Sequence, residues 1–471
     1  MPTTILWFRR DLRLSDHPAL AAALGRGGAV LPVYIHAPEE EEPWAPGAAS
    51  RAWLHFSLKA LDEALSARGS RLVLRRGPSL EALLELVAES EADAVFWIRR
   101  YEPRIIARDT MIKAALRRRG IRAESFSGSL LVEPWTLSTG EGKPYRVFTP
   151  FWRAARERLT PESPLPAPSA LPAPPRFPQS LSLPELGLLP KPRWDEPFWR
   201  LWQPGEPGAQ ARLREFIEDV LPQYKSSRDR PDQKGTSRLS PHLAFGEISP
   251  RQILAAVRAS DLGSSVSAAK FLSELGWREF SHHLLYHFPH CAEANLNPRF
   301  DAFPWAEPDP ASLQRWQQGS TGVPIVDAGM RELWQTGWMH NRVRMLVASF
   351  LTKNLRIHWL HGARWFWDTL LDADLANNTQ GWQWTAGTGA DAAPYIRIFN
   401  PVLQAQRFDP EGAYIRRFLP ELAGLPKERI HAPWEGMLPR DYPPPMVDLA
   451  TSRQEALAAF STIKGRFKDE G

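Results

Sequence analysis

The sequence predicts an α/β domain built on a doubly wound parallel sheet, followed by an all-α domain. Apolar extended runs alternate with amphipathic helical patterns in the first part of the chain, whereas helical patterns alone follow a proline-rich stretch. At 471 residues, the chain is also too long for one ordinary domain. We therefore expect an α/β domain at residues 1–132, a proline-rich connection at 133–207 and a helical domain at 208–471.

Apolar runs predict the strands of the first domain: TILWF, AVLPVYIH, RLVLRRG and AVFWIRR. Runs with so few polar positions are typical of parallel strands that are covered on both faces, and the stretches between them have a helical period. Asp16 and Pro18 indicate a helix start directly after the first strand, at the carboxyl edge of the sheet where ligands often bind. No GxGxxG or GxxxxGK[ST] motif follows that strand, so nucleotide binding there stays one alternative.

Proline marks the connection, because 14 of the 45 prolines lie from Pro161 to Pro207. Prolines at this density exclude helix interiors and central strands, so we expect a surface connection with polyproline character. Helical patterns predict the second domain: GAQARLREFIEDVL, SPRQILAAVRA, AAKFLSELGWREFSHHLLYHF, GMRELWQTGWMHNRVRMLVASFLTKNL and ARWFWDTLL.

Composition excludes several classes of protein. The single Cys291 rules out an internal disulfide and any multi-cysteine zinc or iron–sulfur site, which fits the reducing cytoplasm. No uninterrupted apolar span of about 20 residues occurs, so we expect no membrane segment. A net charge of +5 and a pI near 9.3 permit a polyanionic partner without requiring one.

The segment GTSRLSPHLAFGEISPRQIL combines hydroxyl groups with a cation where a helix begins. Thr236, Ser237 and Ser240 supply the hydroxyls and Arg238 supplies the cation. These groups suit a phosphate or diphosphate, and Gly235 beside them would let a ligand approach closely. The alternative is a plain helix-capping sequence.

Three further segments mix aromatic, charged and amide side chains. Each of these polar groups needs a partner if it is buried, so the combination is awkward for a simple hydrophobic core. For ELGWREF, the alternative is a buried salt bridge beside a core tryptophan. The members are Glu274, Trp277 and Arg278 in ELGWREF; Trp338, Asn341 and Met345 on one face of WMHNRVRM, flanked by Arg342 and Arg344; and Asp372, Asp374, Asn377, Asn378, Trp382 and Trp384 in DADLANNTQGWQW. A polar and aromatic ligand cavity is the better interpretation.

The chain resembles the photolyase/cryptochrome family, and specifically the class I cyclobutane pyrimidine dimer photolyases. The similar segments are WFRRDLRLSDHPAL, GTSRLSPHLAFGEISPRQ, LGWREF, GSTGVPIVDAGMRELWQTGWMHNRVRM, DADLANNTQGWQW and AAPYIRIFNP. The resemblance implies an α/β antenna domain, a helical domain that holds a U-shaped FAD, and a carbon–carbon lyase. Its activity would be light-dependent repair of cyclobutane dimers, by electron transfer from excited reduced FAD to a flipped-out dimer in UV-damaged DNA.

The resemblance also implies roles for individual residues. Cofactor contacts would be Tyr224, Thr236, Ser237, Arg238, Leu239, Ser240, Arg344, Asp372, Asp374 and Asn378. Lesion and DNA contacts would be Arg228, Glu274, Trp277, Arg278, Asn341, Arg342, Met345, Trp384, Arg397 and Gln404. The catalytic set would be Glu274, which stabilises charge on the dimer, Asn378, which faces flavin N5, and the electron-hopping tryptophans Trp382, Trp359 and Trp305.

Alternatives accompany this interpretation. A cryptochrome-type photoreceptor that signals through protein partners is the main one; the amide at Asn378 and the short segment after QEALAAF favour repair, whereas a nucleotide-using transferase leaves the helical motifs unexplained. A metal site in HHLLYHFPHC is not expected. A second, antenna chromophore is left open as methenyltetrahydrofolate, a deazaflavin or none, because Ile105 and Ala292 depart from the folate-binding pattern. We expect a monomer.

Overall fold

The computed structural model describes residues 2–159 and 163–464, and its first part is built on a parallel sheet. The described residues do not include Pro161, or residues 1 and 471, which are the outer bounds of the expected domains. The strands are β1 Thr3–Phe8, β2 Ala29–His36, β3 Val73–Arg76, β4 Ala94–Ile98 and β5 Arg122–Phe126. They pair in the order β3-β2-β1-β4-β5, all parallel, and Ile5 lies between Leu31 and Val95. The predicted fold class is confirmed.

Helices cover both faces of this sheet, which explains why the central strands are so apolar. Alternate residues of β1 enter different hydrophobic clusters, Leu6 and Phe8 on one face and Ile5 and Trp7 on the other. The covering helices are α1 Pro18–Leu24, α2 Ala48–Ser66, α3 Ser79–Ser90 and α4 Pro103–Arg118. The helix predicted after β1 is present, and His17 caps it through a bond from Leu20 N to its Nδ1.

The fifth strand was not among the runs that predicted the sheet. β5 lies at the sheet edge and pairs with β4 alone among the described strands. Of its sequence RAESF, only Ala123 is fully buried, and Glu124 to Phe126 are half-buried. An edge strand tolerates polar side chains because water covers one side of it.

The connection packs against the first domain. It includes α5 Phe148–Glu157, a helix that the proline content did not predict. Leu171, Leu186 and Phe198 join the same hydrophobic cluster as β1. Backbone bonds tie the segment to the sheet region, from Val30 N to Pro172 O and from Leu181 N to Leu74 O. The described prolines of this segment therefore lie in an ordered layer on the first domain.

Every regular element of the second domain is a helix in the part of the chain that the structure describes. Its helices are α6 Glu206–Glu215, α7 Tyr224–Ser227, α8 Ser240–Ala244, α9 Pro250–Ala259, α10 Val266–His287, α11 Pro310–Gln318, α12 Pro324–Thr336, α13 Asn341–Ser349, α14 Trp359–Thr369, α15 Leu375–Ala386, α16 Pro401–Phe408, α17 Ala413–Phe418, α18 Lys427–Ile430 and α19 Leu449–Ile463. None of the helices in the described chain is both long and apolar enough to cross a membrane.

The predicted helical segment GMRELWQTGWMHNRVRMLVASFLTKNL is interrupted in the structure. Gly337 ends α12 with a φ of 67°, and α13 starts only at Asn341. Trp338 therefore precedes the helix, and the prediction that it shares a helical face with Asn341 and Met345 is wrong. A Cβ at Gly337 would lie 2.5 Å from the Leu371 Cγ, so packing as well as backbone angle requires glycine here.

Buried polar bonds join the two domains. The Arg13 guanidinium donates to Gly128 O and to Gly246 O, each at 2.9 Å. The Asp16 carboxylate, expected only to mark a helix start, accepts from Ser249 and Arg251 of the second domain. Because these groups are removed from water, each needs the other domain as its partner.

Candidate functional site

A cavity of about 430 Å³ opens among helices α10, α13, α14 and α15. This volume lies within the range of about 300–1,000 Å³ that small-molecule and cofactor sites occupy. Many residues predicted from the sequence line it: Arg228, Glu274, Trp277, Asn341, Arg342, Arg344, Met345, Asp372, Asn378, Trp382 and Trp384. Tertiary folding thus brings residues from three distant motifs to one cavity.

An aromatic wall forms one side of the cavity. Trp277 stacks on Phe148 of α5, with ring centroids 3.9 Å apart and planes 8° from parallel. Trp384 lines the cavity from α15. The sequence did not single out Phe148, because it lies in the segment treated as a connection. Its buried neighbours Phe151 and Trp152 in the amphipathic pattern FTPFWRAARE were the available signal.

Glu274 is held by two cations. Its Oε1 accepts from Lys270 Nζ at 2.8 Å and also contacts Arg228 Nη1. Burial lowers the pKa of Arg228, but the hydrogen bond to Glu274 and the charges of Glu274 and the other acidic neighbours together outweigh burial, so the net pKa is raised. Lys270 was not predicted, although it lies four residues before Glu274 on the same helix and lines the cavity. The two cations fix the carboxylate against the cavity wall.

Arg344 and Asp372, both expected to contact the cofactor, form an ion pair that lines the cavity. Two nearly parallel bonds, of 3.1 and 2.8 Å, join the guanidinium to the carboxylate, and Arg344 Nε also donates to Met339 O at 2.7 Å. The Asp372 side chain is 3% exposed, so its charge depends on this partner. Nearby, Asn378 Nδ2 donates to Ala363 O at 2.9 Å, which fixes the orientation of that amide.

Asp374 caps the helix that carries Asn378. Its carboxylate accepts from Asn377 N at 2.9 Å and lies 3.4 Å from His282 Nε2. Burial raises the pKa of Asp374, but the charge and hydrogen bond of His282, the charge of Arg278 and the bond from Asn377 N together outweigh burial, and the net pKa is well below its usual range. Burial lowers the pKa of His282, but the charge and hydrogen bond of Asp374 reverse this effect and the net pKa is raised. Each group therefore favours the charged form of the other, and the sequence did not predict His282.

The hydroxyl-rich segment lies beside the cavity and does not line it. Trp338 connects the two regions: its Nε1 donates to Ser240 Oγ at 3.3 Å, and its ring lies 4.9 Å from the Arg238 guanidinium and 5.8 Å from that of Arg344. The Leu239 side chain is buried in a hydrophobic cluster.

The glycine and two of the hydroxyl side chains of that segment pack against or bond to the protein's own backbone. A Cβ at Gly235 would lie 2.3 Å from Ser227 O, so the close approach at this glycine is to backbone. Thr236 and Ser237 are half-buried, and Ser237 Oγ accepts from Leu239 N at 3.4 Å. Tyr224 is buried in the cluster that contains Leu239.

Three predicted DNA contacts lie outside the cavity lining. Arg278 Nη1 donates to Ser129 O at 2.9 Å and to Glu279, so its guanidinium is used in an interdomain contact. Arg397 is exposed, and Gln404 is half-buried in the first turn of α16.

Of the three predicted hopping tryptophans, Trp382 lines the cavity and Trp305 reaches the surface. Trp382 and Trp359 are buried, and Trp305 is half-buried. His358 contacts both outer members, with its ring 5.4 Å from Trp359 and 5.0 Å from Trp305. Gly362 makes room for the first member, because a Cβ there would lie 2.0 Å from Trp382 Cη2.

The carboxyl edge of the sheet offers little space for a second chromophore. The cavity there holds about 30 Å³, and Arg100 occupies it with bonds to Glu41 at 2.8 Å and Glu102 at 2.7 Å. A second cavity of about 70 Å³ lies between the domains, beside Trp44 and Trp367. Neither volume fits a fused-ring chromophore with the side chains as they stand.

Histidines of the segment HHLLYHFPHC lie within bonding distance of backbone atoms in the connection. His283 Nε2 accepts from Tyr145 N at 3.1 Å, and His287 Nε2 lies 3.1 Å from Pro134 O. Burial lowers the pKa of His283 to about 4. Over the described ranges, no group of three or more His, Cys, Asp or Glu side chains is arranged to hold a metal ion.

Comparison with known proteins identifies the family. Residues 4–171 match the family model for DNA photolyase, and residues 271–462 match that for the FAD binding domain of DNA photolyase. The deoxyribodipyrimidine photo-lyase of Agrobacterium fabrum is 49% identical over 98% of both chains. Cryptochrome-2 of Arabidopsis thaliana is 41% identical over 98% of this chain and 79% of its own. The protein therefore belongs to the DNA photolyase and cryptochrome family.

Solved structures agree. A bacterial class III photolyase from Agrobacterium tumefaciens superposes with a TM-score of 0.95 at 48% identity, covering 99% of this chain and 98% of that one. A Synechocystis cryptochrome gives 0.89 at 32% identity, over 98% and 99%. An archaeal photolyase from Sulfolobus tokodaii with two FAD molecules gives 0.85 at 30% identity, over 98% and 100%. The predicted family is confirmed, and the assignment to class I stays a prediction.

Proposed function

We propose that this protein repairs cyclobutane pyrimidine dimers in DNA and that light drives the reaction. One observation carries the proposal: a single cavity gathers Trp277, Trp384, the Glu274 carboxylate, the Asn341 amide and the Met345 thioether beside the ion pair of half-buried Arg344 with buried Asp372. A flat but distorted pair of joined bases needs aromatic walls, and its imide edges need hydrogen-bond partners. The photo-lyase relatives of similar length support the same conclusion.

The chain's own residues would bind the lesion. Trp277, backed by Phe148, and Trp384 would enclose the two bases, which are flipped out of the duplex at a cost of a few kcal/mol that a damaged site reduces. Glu274 and Asn341 would bond the base edges, and Met345 would pack against the ring. With Oε1 of Glu274 held by Lys270 and Arg228, its other oxygen is left for the substrate.

Contacts to the DNA backbone would surround this cavity. Arg228 and Arg342 line the cavity. Arg397 is exposed and shortly precedes α16, whose first turn contains Gln404. Such side chains fix the position of the strand through phosphates, whereas the cavity selects the lesion. Affinity should therefore fall with salt for damaged and undamaged DNA alike.

FAD is the cofactor that the residues fit. The match to the FAD binding domain and the cavity volume both support it, and Arg344, Asp372, Asp374 and Asn378 would hold the isoalloxazine ring. When bound, flavin supplies light-driven one-electron chemistry. Asp374 is held ionised by His282 and would accept from a ring N–H, and Asn378 is oriented by its bond to Ala363 O.

A second function, flavin photoreceptor signalling, is favoured by the similarity to plant and bacterial cryptochromes. One experiment separates the two functions. Purified protein with chemically reduced flavin is illuminated with an oligonucleotide that contains one dimer, and recovery of thymine absorbance is followed. Repair predicts light-dependent recovery, which Glu274→Ala should reduce per absorbed photon without abolishing DNA binding. No recovery in the native protein would favour the photoreceptor.

A second chromophore is a separate proposal. The Sulfolobus relative contains two FAD molecules, and methenyltetrahydrofolate and a deazaflavin were expected as alternatives. The ion pairs of Arg100 at the sheet edge would have to open for a fused-ring molecule to enter there. Mass spectrometry of small molecules released from the purified protein tests this, and FAD alone would exclude a stable antenna.

A further inference from the structure

The three tryptophans of the proposed electron path differ in what their indole N–H groups contact. For the buried Nε1 atoms of Trp382 and Trp305, the described residues offer no hydrogen-bond acceptor. Protein atoms bury the Trp382 Nε1, so this N–H does not face the cavity that the Trp382 ring lines. Trp359 Nε1, in contrast, donates to Asn295 Oδ1 at 2.9 Å.

A carboxylate polarises this acceptor. Asn295 is 6% exposed, and its Nδ2 donates to Asp301 Oδ1 at 2.7 Å. Both ends of the amide are therefore engaged, so its orientation is fixed. A negative charge on the donor side of an amide increases electron density at its oxygen, and hydrogen bonds in such a chain strengthen one another. Asp301 is exposed, so water screens part of its charge, whereas the bond from Asn295 to Trp359 is buried.

This bond changes the relative ease of oxidising the tryptophans. An indole that loses one electron becomes positively charged, and its N–H donates more strongly than in the neutral ring. Asn295 thus stabilises oxidised Trp359, and neither neighbour in the path has an equivalent acceptor in the described chain. When one electron passes from Trp359 to oxidised Trp382, the positive hole moves outward and no proton is transferred, since an amide is not a base.

We propose that Asn295, polarised by Asp301, is a positioning residue that makes hole transfer from Trp382 to Trp359 favourable. The hole continues to half-buried Trp305, where nearby water offsets the lack of an acceptor, and a soluble thiol reductant supplies the replacing electron. This inference rests on the proposed function, in that it assumes a photochemically active flavin in the cavity.

Two substitutions test the inference. Asn295→Leu removes the acceptor at similar volume, and Asp301→Asn keeps a bond while removing the charge. After a laser flash on protein with oxidised flavin, the yield of long-lived tryptophan radicals should fall about three- to tenfold in Asn295→Leu, as expected for one buried hydrogen bond. The decrease in Asp301→Asn should be smaller. In flavin-free protein, ultraviolet resonance Raman spectra of Asn295→Leu should lose one hydrogen-bonded indole.

The control is repair that starts from chemically reduced flavin, which does not use the tryptophan path and should be unchanged in both variants. An unchanged radical yield in Asn295→Leu would overturn the inference. So would an equal loss of repair, since Asn295 would then support the fold alone. If Asn295→Leu does not fold, an unchanged yield in Asp301→Asn overturns it. Native protein that forms radicals but repairs no dimers would refute the proposed substrate and leave this inference intact.

Discussion

Replacing Phe148 by leucine should weaken binding of dimer-containing DNA without a comparable effect on undamaged DNA. The Phe148 ring holds Trp277 in place by a stack with a 3.9 Å centroid separation. Such aromatic pairs contribute about 0.5–1.5 kcal/mol beyond their burial, and about 1.4 kcal/mol corresponds to a tenfold change in affinity. If the stack fixes Trp277 before the dimer arrives, its loss should raise the Kd for dimer DNA about two- to tenfold.

Fluorescence anisotropy with a labelled oligonucleotide, with and without one dimer, measures both constants. Phe151→Leu is the matched control, since Phe151 is buried on the same helix and contacts Phe280 and His283 but not the Trp277 ring. Both variants should lose less than about 1.5 kcal/mol of stability. A Phe148→Leu protein that binds dimer DNA as tightly as the native protein, or no more weakly than Phe151→Leu, would refute the reasoning.

Three further predictions follow from the site. Arg344→Met leaves the buried Asp372 carboxylate unpaired and should lower the free energy of unfolding by about 3–5 kcal/mol in urea titrations. The double variant with Asp372→Asn should recover part of this stability. If the losses of the two single variants simply add in the double variant, the two side chains are not coupled. The pKa of His282 is raised above its usual 6.5, so its stabilisation is full below pH 6.5 and is lost as the pH rises through the raised value. His282→Gln should therefore flatten the decline in unfolding free energy above pH 6.5, whereas parallel curves would refute the pairing. Trp382→Phe should slow photoreduction of the flavin by a thiol. Trp316→Phe is the control, because the Trp316 ring lies 6.1 Å from Trp382 but outside the electron path, and it should not slow the reaction. Equal slowing in the two variants would exclude the path.

Much of the site could be predicted because the motifs are local. The spacing within DADLANNTQGWQW places Asp374 at a helix cap and Trp382 on the same helix, since three to four residues make one helical turn. The order of apolar runs likewise predicts a parallel sheet, because strands covered on both faces need apolar side chains throughout. The edge strand β5 has no continuous apolar run and was therefore not predicted, because an edge strand is only partly buried.

The sequence by itself determined the fold class, the family and half of the residues that line the cavity, because periodicity and short motifs are properties of neighbouring residues. Tertiary structure alone decided which distant groups support them: Phe148 behind Trp277, and Asn295 behind Trp359. These partners lie many residues away in the chain and have no spacing in common. Only the packing of distant segments against each other brings each tryptophan ring to its partner, and no single stretch of sequence contains that contact.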